Sequence, residues 1–85
     1  MEADVKRDLI RKAILFQIKN GCTRYTDIKD RVTAKCIEFA SSNSMKKQFY
    51  NYLLPQGYIE RVNPGRYRVT KKGEILLVIL NQISF

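Results

Sequence analysis

Apolar residues recur at helical spacing through residues 3–20. Val5, Leu9, Ala13 and Phe16 form one row, joined by Ile10, Ile14 and Ile18, while Lys6, Arg7, Arg11 and Lys12 fall on other faces. This pattern predicts an amphipathic helix with a wide apolar stripe, ended by Asn20-Gly21. The next segment, "CTRYT" (22–26), is short and β-favouring, and predicts a small strand. Thr26 reads as a helix cap, with Asp27 and Asp30 in the first turn. The second helix, "DIKDRVTAKCIEFA", carries Ile28, Val32, Cys36 and Phe39 on one stripe, with Ile37 beside it. "SSNS" (41–44) interrupts the pattern and offers a cap for a third helix, "SMKKQFYNYLL". Met45, Phe49, Tyr52 and Leu53 lie within about 100° of one another on its wheel and predict its buried face. Pro55 ends it.

Two alternating segments follow, "YIERV" and "RYRVT", joined by "NPG". Pro64 presets one turn dihedral and Gly65 tolerates positive φ, so the stretch predicts a short-tipped β-hairpin. Thr70 then caps a last helix, "KKGEILLVILNQISF", whose first turn is weakened by Gly73. Its apolar residues cover nearly the whole circumference. One face can cover the domain; the other needs a partner chain. The expectation is a homodimer joined through Leu76, Leu77, Ile79, Leu80 and Ile83, with residues 70–85 as the dimerisation helix.

With 85 residues the chain is expected to be one domain spanning residues 1–85, an α+β unit that is mainly helical. Apolar residues at 45% and charged residues at 28% exclude a disordered composition. The charge changes the picture more: 16 Lys and Arg stand against 8 Asp and Glu, for a net +8. Such an excess attracts a polyanion, nucleic acid first. His is absent, which removes the commonest general base and metal ligand. Cys22 and Cys36 form no CxxC pair; they read as two buried thiols, or as a disulfide within or between subunits. No phosphate-binding glycine loop, Ser-His-Asp set or metal cluster is present in the sequence, so no enzyme, metal, cofactor or small-molecule ligand is expected. The N-terminal "MEADVKRDLI" has no signal-peptide core, and the longest apolar run, "ILLVIL", is too short to span a membrane. The expected setting is the cytoplasm, in association with the nucleoid.

The order of elements, with "YNYLLPQGYIERV" and then "GRYRVTKKGEILL", resembles the winged helix-turn-helix family, most closely small archaeal winged-helix regulators. Gly57, Ile59, Tyr67, Thr70 and Gly73 stand where that family turns, starts its strand and leaves its wing. The hairpin phrase is also similar to the N-terminal domain of Mrr-type restriction enzymes. The resemblance covers about residues 5 to 80 in layout and 49 to 77 in motif. It implies a β-hairpin wing, here shorter than in long-winged regulators, a C-terminal helix and a DNA-binding activity without cleavage. The stretch from Thr26 to Ser44 departs from the family by its length.

In that geometry the third helix enters the major groove. Asn43, Ser44, Lys47, Tyr50 and Asn51 face outwards on it, with Lys46 and Gln48 at the margins. Asn and Gln suit adenine edges, and Lys suits guanine or phosphate. Arg61, Arg66 and Arg68 alternate along the hairpin and are expected to project to one side, with Arg66 beside the rigid turn reaching a minor groove or a phosphate. Arg24, Lys29, Arg31, Lys71 and Lys72 are further candidate phosphate contacts. The resulting expectation is a homodimer that binds double-stranded DNA as a transcription regulator. The alternatives are an architectural chromatin protein and a protein-interaction module of a larger complex.

Overall fold

The computed structural model describes residues 3–21, 23–35 and 40–82. Among them the chain forms helices α1 (Ala3–Lys19), α2 (Tyr25–Lys35), α3 (Ser42–Gln48) and α4 (Lys71–Leu80), and strands β1 (Ile59–Asn63) and β2 (Arg66–Val69). α3 runs on into a π-helical turn, Phe49–Leu53. The result is a mainly helical α+β unit with one antiparallel hairpin. Its radius of gyration, 11.6 Å, is that of a compact chain of this length, about 12 Å.

The core is a single cluster. Ile10, Ala13, Ile14, Leu15 and Ile18 of α1 meet Ile28 and Val32 of α2, Met45 of α3 and Phe49 and Leu53 of the π-helical turn. Ile59, Tyr67, Leu77 and Leu80 close it from the hairpin and α4. The expected α1 stripe is thus shifted. Val5 and Phe16 are exposed, and Leu15 is buried in their place. Four consecutive apolar residues, Ala13 to Phe16, leave the inward face ambiguous until the partners of the helix decide it.

Helix starts follow local chemistry where a cap is available. Ser41 and Ser44 form a reciprocal capping box at α3: the Ser44 N–H donates to Ser41 Oγ at 3.1 Å, and the Ser41 N–H donates to Ser44 Oγ at 2.8 Å. The helix therefore begins at Ser42, earlier than the run of apolar spacing. Thr70 caps α4 as expected, accepting from the Gly73 N–H at 3.1 Å. Thr26 does not cap α2. The helix already includes Tyr25, and its first backbone bond runs from the Ile28 N–H to the Arg24 carbonyl at 3.0 Å. The candidate second-helix positions Cys36, Ile37 and Phe39 lie outside the described residues, as do Cys22 and Ile83.

The hairpin pairs Ile59 with Val69, Glu60 with Arg68, Arg61 with Tyr67 and Asn63 with Arg66. The register slips between Arg61 and Asn63, leaving Val62 as an extra residue in β1. Gly65 takes φ +74° at the tip, as its place after Pro64 predicts. The expected strand at 22–26 is reduced to one bridge: Arg24 pairs antiparallel with Arg66, and the Tyr67 N–H donates to the Thr23 carbonyl at 2.9 Å. This contact ties the hairpin to the start of α2.

Candidate nucleic-acid interface

The outer face of α3 is open to solvent. Asn43, Lys46, Lys47 and Asn51 are exposed, while Met45, Phe49 and Leu53 on the other side are fully buried. Ser44 is half-buried and engaged in the cap. Gln48 is committed inwards: its Oε1 accepts from Arg11 Nε at 2.8 Å. Burial lowers the Arg11 pKa from its ordinary value, with Tyr52 opposing that shift. Gln48 therefore belongs to the junction with α1 and leaves the outer face.

The π-helical turn ends this helix between two aromatic groups. Its wide bond runs from the Leu54 N–H to the Phe49 carbonyl at 3.0 Å. Beyond it Gly57, at φ +80°, closes the helix end, where the Gly57 N–H donates to the Leu54 carbonyl at 3.2 Å and the Tyr58 N–H to the Leu53 carbonyl at 3.0 Å. Tyr50 does not point freely outwards. Its ring centre lies 5.0 Å from Tyr25 and 4.9 Å from Phe49. Burial first, then the neighbouring Tyr67 hydroxyl, push its pKa up to about 12. Tyr52 stacks on Tyr58 at 5.5 Å on the other side. Tyr52, predicted on the buried face of the helix, does pack.

The hairpin arginines do not share one side. Cross-strand partners face the same way, so Arg61, opposite Tyr67, lies on the face that buries Tyr67, whereas Arg66 and Arg68 lie on the other. Arg68 forms an ion pair with Glu60, its register partner. Lys72 donates to the Gln56 carbonyl at 2.8 Å and sits 4.8 Å from the Tyr58 ring centre. Arg66 stands exposed beside the tip.

Two grooves join these elements. One lies between α2 and α3 and is lined by Tyr25, Lys29, Ser42, Asn43, Lys46 and Tyr50. The other lies between the start of α2 and the hairpin tip and is lined by Arg24, Tyr25, Thr26, Pro64, Gly65 and Arg66. Tyr25 lines both, so the two adjoin. Between Glu38 and Glu74 the only acid is Glu60, the one paired with Arg68. Neither groove is lined by an acid. Tyr25 was not legible as a surface element; Lys29, four residues on, was the only signal that its side of α2 is polar.

The residues proposed from the sequence for association divide differently. Leu77 and Leu80 are buried in the chain's own core and Leu76 is half-buried, so only Ile79 of the described set is open. The helix turns Leu77 and Leu80 towards α1, and Ile75, Val78 and Ile79 outwards at 59%, 63% and 56% exposure. Among the described residues no group of acidic or Cys side chains could hold a metal ion, and no helix is long and apolar enough to cross a membrane. No family model, curated protein or solved structure matches the chain.

Proposed function

We propose that the protein binds double-stranded DNA, with α3 in the major groove and the hairpin tip on the flanking backbone or minor groove. The observation that carries this reading is the pair of adjoining grooves between α3, the start of α2 and the tip, lined by Lys29, Lys46, Arg24 and Arg66 and by no acid. Asn43, Lys47 and Asn51 supply groups for base edges and phosphates from the same helix face. The helix–helix–hairpin order supports a winged helix-turn-helix. The open stripe of Ile75, Val78 and Ile79 supports a homodimer, which would read half-sites roughly 34–36 Å apart under the general helix-turn-helix rule. Transcriptional regulation is the use that fits such a dimer.

Fluorescence anisotropy with a labelled mixed-sequence duplex tests the reading. Binding should be tight at low salt and fall by orders of magnitude at moderate salt, as counterion release requires. Lys47→Ala and Asn51→Ala should weaken it without lowering the melting temperature, since both residues are exposed. Absence of binding at low salt would overturn it. The α4 stripe favours one other reading, a module that docks a different protein; a wild-type monomer with no duplex affinity would point there.

A further inference from the structure

Arg24 and Arg66 come from distant parts of the sequence and are held side by side. They are partners in an antiparallel bridge, and the Tyr67 N–H bond to the Thr23 carbonyl fixes that register. Directly opposed residues place their side chains on one face, with Cβ atoms about 5 Å apart. Both arginines are exposed. Neither makes an ion pair or a side-chain hydrogen bond among the described residues.

Like charges set directly opposite repel and destabilise a sheet. Further along the same face the hairpin avoids this: Arg68 is opposed by Glu60 and paired with it. Beside the tip, two guanidiniums stand together without an acid. They line one groove, whose volume is about 310 Å³, together with Thr26. The groove also abuts the first turn of α2, whose opening backbone N–H groups have no helical acceptor. Asp27, the acid of that turn, does not line the groove.

We propose that Arg24 and Arg66 together clamp one phosphodiester group of a nucleic-acid backbone. Two planar forks converging on one tetrahedral anion form charge-assisted, partly bidentate bonds, and the anion removes the repulsion between them. The clamp sets the hairpin tip on the backbone next to the groove that α3 borders, since Tyr25 lines both grooves. This rests on the DNA-binding reading above and specifies how the tip is anchored.

The test uses the full chain, a labelled mixed-sequence duplex, and the variants Arg24→Gln, Arg66→Gln and the double variant. Each single variant should weaken binding but lower the slope of log affinity against log salt by less than about 0.9, one phosphate's worth, because the remaining arginine still neutralises that phosphate. The double variant should lose about 0.9. Without DNA at low salt, each single variant should melt at a higher temperature than wild type, because the repulsion is gone. If wild type binds and the single variants match it, the clamp is wrong and the DNA reading stands. A double-variant loss of about 1.8 would assign the arginines to separate phosphates and also overturn the clamp. A lower melting temperature in both variants would assign the pair a structural role. If wild type does not bind the duplex, the DNA reading fails. Arginine Nε–H resonances, titrated with inorganic phosphate, then decide the site: joint saturation of Arg24 and Arg66 keeps it as a free-phosphate site, and unmoved signals remove it.

Discussion

The guanidinium carbon of Arg11 sits 3.3 Å from the centre of the Tyr52 ring, and the same group donates through Nε to Gln48 at 2.8 Å. One side chain of α1 thereby holds both α3 and the turn that ends it. The Arg11 side chain is only 13% exposed, so both contacts operate with little water around them. A cation–π contact contributes about 0.5–2 kcal/mol and a charged hydrogen bond about 1.5–3 kcal/mol. Arg11→Ala should cost about 2–3 kcal/mol in urea unfolding. Arg11→Lys should recover part of this, because Lys keeps the charge and loses the planar fork.

Gly73 packs against the backbone of Tyr58. A methyl group there would overlap the Tyr58 carbonyl oxygen and approach Val69 Cγ1 to 2.7 Å. Helix propensity alone would make Gly73→Ala favourable by about 1 kcal/mol. The overlap is with backbone and cannot be relieved by a rotamer change, so the overpacking cost of about 3 kcal/mol decides the sign. The variant should be destabilised by about 2 kcal/mol and melt roughly 8–16 °C lower. Unchanged melting would show that the last helix can slide on the hairpin.

Tyr50 makes stability depend on alkaline pH. Its folded pKa is raised to about 12, against about 10 when unfolded. Below pH 10 both states hold the proton and the contribution is complete. Between pH 10 and 12 the unfolded chain releases the proton first, so stability falls as pH rises towards the folded value. Tyr50→Phe should flatten that part of the stability–pH curve. Phenolate absorbance should show one tyrosine fewer titrating late in the variant than in wild type, since burial also raises Tyr25, and the Tyr58 hydroxyl together with burial raises Tyr52.

Leu77 and Ile79 should separate folding from association. Leu77 is 4% exposed, and a carboxylate there is buried without a partner, so Leu77→Glu should cost more than about 3 kcal/mol and abolish the cooperative melt. Ile79 is 56% exposed, and Ile79→Glu should change stability by no more than about 0.5 kcal/mol. Sedimentation of the folded Ile79→Glu variant should give a monomer where wild type gives a dimer. A dimer that survives this change would free the last helix from that role.

What the sequence revealed depended on how local the cause was. Thr70 and Gly65 were legible because a cap and a tight turn are decided by a few neighbouring residues. The reciprocal Ser41–Ser44 bonds follow from the same kind of chemistry. Thr26 misled, because the Arg24–Arg66 bridge positions the chain so that α2 begins before it. Leu77 and Leu80 could not be told from Ile75, Val78 and Ile79 in a helix apolar on all sides; packing against α1 makes that choice. The candidate interface was legible as a charge excess and an outward α3 face. The loss of Gln48 to Arg11, of Arg68 to Glu60, and the meeting of Arg24 with Arg66 all depend on contacts distant in sequence, which no local pattern contains.

The extra residue in β1 has a consequence for how copies of this chain can meet. β2 is flanked by β1 and, at Arg66, by Arg24, which leaves β1 as the open margin of the hairpin among the described residues. A straight margin would offer a row of free amides to any passing strand. Here the slip at Val62 bends that row within five residues, and Glu60 and Arg61 set opposite charges beside it. The hairpin is thus self-limiting: it resists strand-by-strand polymerisation even though the outer face of α4 is apolar and open. If the chain binds DNA as proposed, crowding there would bring copies together through the open face of α4 and leave their hairpins apart.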